Sequence, residues 1–168
     1  MTTIAYRDGI LAADSQETMG GMKLTSAPKI TFLPASQTLI ALAGDSEKCT
    51  RALAYFNRPD WREKVDEAPF FKKGFEAVVV TKERAYYCVN NCVALPLGNP
   101  FIACASGWQL AMAALHMGLG PEDAVKFASE LDVYTNSEVQ VVNVKDVFKE
   151  EEAPRSRRNS RRKAASEA

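Results

Sequence analysis

Two short runs of strand composition, TIAYR (3–7) and ILAAD (10–14), flank the dipeptide Asp8-Gly9. Asp-Gly accepts positive φ at both central positions of a type I′ turn, the two-residue connection whose twist matches that of paired strands. A hairpin closed in this way sets Thr3 opposite Asp14 and Thr2 opposite Ser15. A carboxylate is thereby brought to the beginning of the chain by local geometry alone. A three-residue loop would shift that register by one position.

The remaining elements read as strands clustered on either side of helices. The glycines of MGGMKLTSAPKITFLP (19–34) read as a flexible stretch leading to a short strand that Pro28 can only start or flank. TLIALAG (38–44) is nearly continuous apolar sequence, as a strand buried on both faces requires. DSEKCTRALAYFNR (45–58) then offers Asp45 or Ser46 as N-cap and Ala52, Leu53 and Phe56 as the apolar stripe of a helix. EAVVVT and RAYYCVN form a second hairpin around Lys82-Glu83, and NPFIACASG is another buried strand. WQLAMAALHMGLG and PEDAVKFASEL are helices, the second opened by Pro121, and DVYTNSEVQVVNV turns at Asn136 into a final strand. This order fits two packed sheets with helices outside.

Several chemistries are excluded early. No apolar run approaches the ~20 residues of a membrane helix, and no basic segment followed by an apolar one opens the chain, so a cytoplasmic protein is expected. Cys49, Cys88, Cys92 and Cys104 lack paired CxxC spacing and read as reduced thiols, with no metal or cofactor implied. The single histidine, His116, falls at a helix C-terminus, where the dipole favours it. Histidine-dependent nucleophilic chemistry would have to use that residue.

Thr2 opens a route that needs no histidine. Methionine aminopeptidases remove Met1 when the second residue is small, and threonine qualifies. A threonine so exposed carries a hydroxyl and a free amine, and the amine, with a reference pKa of ~8, can act as base for the hydroxyl. Taken alone, the same residues are an ordinary strand beginning with Met-Thr.

TTIAYRDGILAADSQETMGG resembles the start of the proteasome β-subunit and bacterial HslV-type peptidase family, whose members begin Thr-Thr, form a first hairpin and carry a DS or DG pair after it. PKITFL resembles the family's lysine before an apolar strand, and LIALAGDSE its strand, glycine and following helix. ACASGWQLAMAAL is similar to its Gly-Ser-Gly junction, with Ala105 in place of the first glycine, and DVYTNSEVQVV to its Asp-x-x-Ser/Thr segment. The resemblance runs in order from residue 2 to about residue 145. The first hairpin and the segment between Gly44 and the strand at 76 are shorter than in typical members, where long helices pack subunit against subunit.

The resemblance implies an α+β fold, a four-layer α-β-β-α sandwich of the N-terminal nucleophile hydrolase type over residues 1–148. It implies Thr2 as nucleophile and base, with Asp14 and Lys29 beside it and Lys29 keeping the site electropositive. The Gly44 N–H would stabilise the oxyanion. Ser106, Asp132 and Thr135 would form the hydrogen-bond network around the Thr2 amine. Thr18 to Met22 and Ala43 to Asp45 would line the pocket next to Thr2. The activity implied is that of a threonine endopeptidase subunit, without metal or cofactor, in a homo-oligomeric ring fed unfolded chains by an ATP-dependent unfoldase. A non-catalytic assembly protein and an amidohydrolase acting on small amides are the competing readings.

Residues 149–168 stand apart as a charged, disordered tail. The stretch 155–168 holds six of the chain's 21 basic and one of its 21 acidic residues, so it carries +5 and the remainder −5. Such a block does not pack into a core. Its basic run, 155–163, could bind an acidic partner or nucleic acid, although no aromatic residue is interleaved for base stacking.

Overall fold

The computed structural model describes residues 2–149. Met1, and the tail expected at 149–168 apart from Lys149, lie outside the described residues.

The first hairpin forms with the expected register. β1 (Thr3–Arg7) and β2 (Ile10–Asp14) pair antiparallel, with Ile4 opposite Ala13 and Arg7 opposite Ile10. Asp8 and Gly9 have φ of 51° and 80°, the two positive values that a type I′ turn demands. β10 (Phe101–Ala105) pairs with the other edge of β1, and β11 (Val139–Asn143) with β2, giving a four-stranded sheet β10-β1-β2-β11. The second sheet is β5 (Ile30–Leu33), β6 (Thr38–Gly44), β7 (Phe75–Val80), β8 (Ala85–Val89) and β9 (Leu95–Pro96), in that order.

Strand alternation sorts the apolar side chains into three layers of core. Between the sheets lie Ile4, Leu11 and Ala13 of one and Leu39, Ala41, Ala43, Val78 and Val80 of the other. The opposite faces, Ile40, Leu42, Ala77 and Val79, pack on α1 (Ser46–Phe56). On the far side Ala5, Ala12 and Ala103 pack on α2 (Trp108–His116) and α3 (Pro121–Ser129) through Ala111, Ala114, Leu115, Ala124 and Val125. Small residues on both partners let the helices approach the sheet closely. The result is the α-β-β-α sandwich. Leu39 and Ile40, nearly or fully buried on opposite faces of β6, each contribute about 1.5–3 kcal/mol of apolar burial.

Among the described residues the outer layer on the five-stranded sheet holds one α-helix, of eleven residues. Asp45 caps it by accepting from the Lys48 amide at 3.0 Å. The rest of the sheet face is covered by an aromatic cluster. Trp61 stacks edge-on against Phe56 and Tyr86, and the Tyr55 hydroxyl donates to the Trp61 carbonyl at 2.7 Å. Bulky rings from the coil after α1 thus replace a second helix.

Two features depart from the expectations. Gly20 and Gly21, expected only to lead into a strand, have φ of 58° and 82° and close a second tight turn between β3 (Gln16–Met19) and β4 (Met22–Ser26). These strands form a separate ribbon bonded to neither sheet, and every residue of β4 is exposed. The chain also does not finish on β11, because α4 (Val144–Lys149) follows it directly. No helix among the described residues is long and apolar enough to cross a membrane.

Candidate active site

Thr2 sits at the open end of the sandwich, where β1 enters the four-stranded sheet, and is only 3% exposed. Its carbonyl accepts from the Ser106 amide at 2.8 Å and from the Ser106 hydroxyl at 3.2 Å. It lines two cavities that meet at Thr2, Thr18, Gly44 and Asp45. One, of about 390 Å³, extends past Glu17, Lys29 and Thr31 to Cys49 and Leu53. The other, of about 410 Å³, is closed by Gly74, Phe75, Glu76, Ala105 and Ser106.

Asp14 ends β2 opposite the start of β1 and is fully buried. One carboxylate oxygen accepts from the Thr3 amide at 2.7 Å, and the other from the amides of Gln16 at 3.0 Å and Asn136 at 3.2 Å. Burial pushes the Asp14 carboxyl above its ordinary range; the three amides and the positive charge of Lys29 oppose that shift. Asp14 therefore supports the backbone beside Thr2.

Lys29 precedes β5, where the Gln140 side chain accepts from the amides of Lys29 and Ile30 at 2.9 Å each. That clip from β11 ties one sheet to the other and fixes where the lysine emerges. Its ammonium points into the first cavity and lies 3.5 Å from Glu17, an acid that the sequence reading did not single out. Glu17 on the ribbon tempers the positive field that a lysine alone would supply.

Ser106, Asp132 and Thr135 come together, although they converge on Thr3 and the Thr2 carbonyl. Thr135 Oγ1 donates to Asp132 Oδ2 at 2.5 Å and lies 2.5 Å from Thr3 Oγ1. A carboxylate can only accept, so the Thr135 proton goes to Asp132 and Thr3 donates to Thr135. Thr3 Oγ1 in turn accepts from the Gly107 amide at 2.8 Å. The chain of bonds runs Gly107, Thr3, Thr135, Asp132. Thr3, fully buried, is another site residue that the sequence did not single out. Its signal was a hydroxyl on the strand face that continues into the wholly apolar Ala5.

Ala105 has φ of 69°, the left-handed region that disfavours a Cβ, which is the backbone condition for the glycine of the resembling motif. Gly44 ends β6 one residue before the cap of α1, so its amide lies short of the helix itself. A Cβ there would stand 3.2 Å from the Gly74 carbonyl. Of the expected pocket residues, Thr18, Met19, Ala43, Gly44 and Asp45 line the cavities, joined by Leu24; Gly20 to Met22 form the tip of the ribbon and line neither. His116 packs edge-on against Phe101 on the far layer. Among the described residues no group of three or more His, Cys, Asp or Glu is arranged to hold a metal ion, and all four cysteines are free.

Among solved structures, HslV from Trypanosoma brucei superposes with a TM-score of 0.60 at 17% identity, over 83% of this chain and 97% of that one. The fold is that of HslV. The Thiobacillus denitrificans protein BPH matches equally well, with a TM-score of 0.60 at 15% identity over 84% of this chain and 95% of its own. BPH in complex with Epoxomicin matches at 0.60 and 16%, over 84% and 96%. No family model matches the sequence, and no curated protein matches it. The HslV fold and the motif order read from the sequence agree, at an identity that marks a divergent chain.

Proposed function

We propose that this chain is the threonine-type endopeptidase subunit of a self-compartmentalising, proteasome-like protease. The observation that carries the reading is the position of Thr2: it lines two cavities at once, while its carbonyl is held by Ser106 and the next amide by Asp14. A substrate threaded across Thr2 has room on both sides of the bond to be cut.

In this mechanism removal of Met1 frees the Thr2 amine. The amine takes the proton of the Thr2 hydroxyl as the oxygen attacks the substrate carbonyl. The Gly44 N–H stabilises the tetrahedral oxyanion, and the protonated amine passes its proton to the departing amine of the substrate. The resulting ester on Thr2 is hydrolysed by water, activated by the same amine. Lys29 and Asp14 set the local field, and Ser106, Asp132 and Thr135 hold the backbone in which Thr2 is anchored. Assembly into a ring of identical subunits, with an ATP-driven unfoldase supplying chains, belongs to the same reading.

Incubation of the purified protein with a peptide epoxyketone, followed by intact mass measurement, tests it. That warhead closes a ring only on a residue with both a hydroxyl and a free neighbouring amine. One adduct on a chain lacking Met1, mapped to Thr2, is the expected result. Met1 removed with no adduct would favour a scaffold on this fold, and Met1 retained would overturn the nucleophile.

A further inference from the structure

Glu76 is an acid in an unusual place. Residues 76, 78 and 80 of β7 share one face, and Val78 and Val80 on that face form the core between the sheets. Glu76 pairs with Ala43 across β6, so its side chain stands at the open rim of that core, in the second cavity beside Thr2. One carboxylate oxygen, Oε2, accepts from the Tyr87 hydroxyl at 2.6 Å and, across the gap between the sheets, from the Ala105 amide at 3.2 Å. Among the described residues Oε1 receives no hydrogen bond, and no lysine, arginine or histidine forms an ion pair with Glu76.

That lack of a cation is what distinguishes Glu76 from its neighbour. Asp45, the other acid of this cavity, is satisfied by Lys48 at 2.6 Å and by capping α1. Glu76 thus brings into the cavity a carboxylate with no ion-pair partner among the described residues. Glu76 is half-buried, and when a bound side chain excludes the remaining water its carboxylate needs a matching positive charge. Two hydrogen bonds fix its orientation, and the positive charge remains to be supplied.

We infer that the Glu76 cavity binds a lysine or arginine side chain of the substrate, making Glu76 a specificity-determining residue for peptides with a basic residue next to the cleaved bond. The cavity of about 410 Å³ accommodates a long side chain, and Phe75 and Ala43 supply apolar wall for its methylene stem. Guanidinium or ammonium donors then meet Oε1, while Oε2 stays with Tyr87 and Ala105. Where the basic residue lies relative to a cleaved bond rests on the peptidase reading; the binding of a basic side chain does not.

The test separates the two. The Thr2→Ala protein, which cannot cleave, is titrated calorimetrically with a positional set of capped, alanine-based hexapeptides. Each carries either arginine or its neutral isostere citrulline at one position. At one position arginine is expected to bind about tenfold more tightly than citrulline, the gap closing in the Thr2→Ala/Glu76→Gln double variant and narrowing as salt is raised. Unchanged citrulline binding in the double variant shows that the cavity is still formed. In parallel, the protein with Thr2 intact digests a random peptide mixture, and sequencing the products reads whether lysine and arginine are enriched at the same place. A Glu76-dependent arginine gap without cleavage removes the peptidase reading and leaves this inference standing. No arginine gap at any position, or a gap that survives Glu76→Gln, overturns it whether or not the protein cleaves.

Discussion

The Gly107 amide donates to the Thr3 hydroxyl at 2.8 Å, joining the start of α2 to β1 across 104 residues of sequence. A Cβ at position 107 would lie 2.6 Å from Thr3 Oγ1, 3.1 Å from Ala128 Cβ and 3.2 Å from Asp132 Oδ2. Gly107→Ala therefore overpacks the contact on which the supporting network turns, at a cost of about 1–3 kcal/mol. The melting temperature should fall by about 2–10 °C, and labelling by the epoxyketone should slow. An unchanged melting curve would show that the helix start yields without strain.

Ala105 is the opposite case. Its φ of 69° costs about 1–2 kcal/mol for a residue with a Cβ, and glycine would relieve it at the expense of about 0.5–1 kcal/mol of chain entropy. Ala105→Gly should stabilise the protein by about 0.5–1 kcal/mol, seen as a rise of about 1–4 °C in thermal melting. A loss of stability would mean that the strain is already balanced by the Glu76 bond to its amide.

Asp14 ties stability to pH in a definite direction. Burial raises its carboxyl above the unfolded value, so the folded state binds its proton more tightly than the unfolded chain does. Its contribution is fully present below the ordinary carboxylate pKa of 3.8 and is lost as pH rises through the higher folded value. Urea midpoints measured from pH 3 upward should show the native protein losing part of its advantage over Asp14→Asn as pH climbs. Parallel profiles for the two proteins would contradict this.

Thr2→Ala should reduce peptide hydrolysis by at least the ~10²–10⁴-fold that a positioned acid–base group supplies. Its stability should hardly change, because Ser106 grips Thr2 through the backbone carbonyl. Thr2→Ser keeps both hydroxyl and amine and should retain turnover. Activity surviving in Thr2→Ala would move the chemistry elsewhere.

The thiols should differ sharply in reactivity. Cys92 is fully buried, with burial pushing its thiol up to about 12, and Cys88 is pushed higher still. Cys49 is only partly buried and lines the first cavity. Brief exposure of the folded protein to N-ethylmaleimide at pH 8 should give one adduct, mapped by mass spectrometry to Cys49, and four after unfolding in urea. Labelling of Cys88 or Cys92 in the folded state would show that the α1 layer opens readily.

What could be read in advance followed from how local each signal is. Asp8-Gly9 encodes its turn within two residues, so the register that sets Thr3 against Asp14 was legible directly. Gly20-Gly21 encodes the same kind of turn, but the exposed strand after it lacks alternation, and a glycine pair without flanking periodicity reads as slack chain. Thr3, Glu17 and Glu76 take their meaning from partners in other elements. Nothing near them in sequence announces Gly107, Lys29 or Ala105. The supporting trio of Ser106, Asp132 and Thr135 came from motif order, and its centre on Thr3 emerged only when the strands were assembled.

β1 is bonded along both edges, to β2 and to β10. The first residues of a domain ordinarily fray, yet residues 3–7 lie within a sheet and can release their amides to solvent only when that sheet comes apart. Deuterium should enter this segment as late as it enters the middle of β6 and β7. Thr2 next to it, the proposed nucleophile, would then keep its alignment until the last protected hydrogen is lost. Denaturation and inactivation would be a single event.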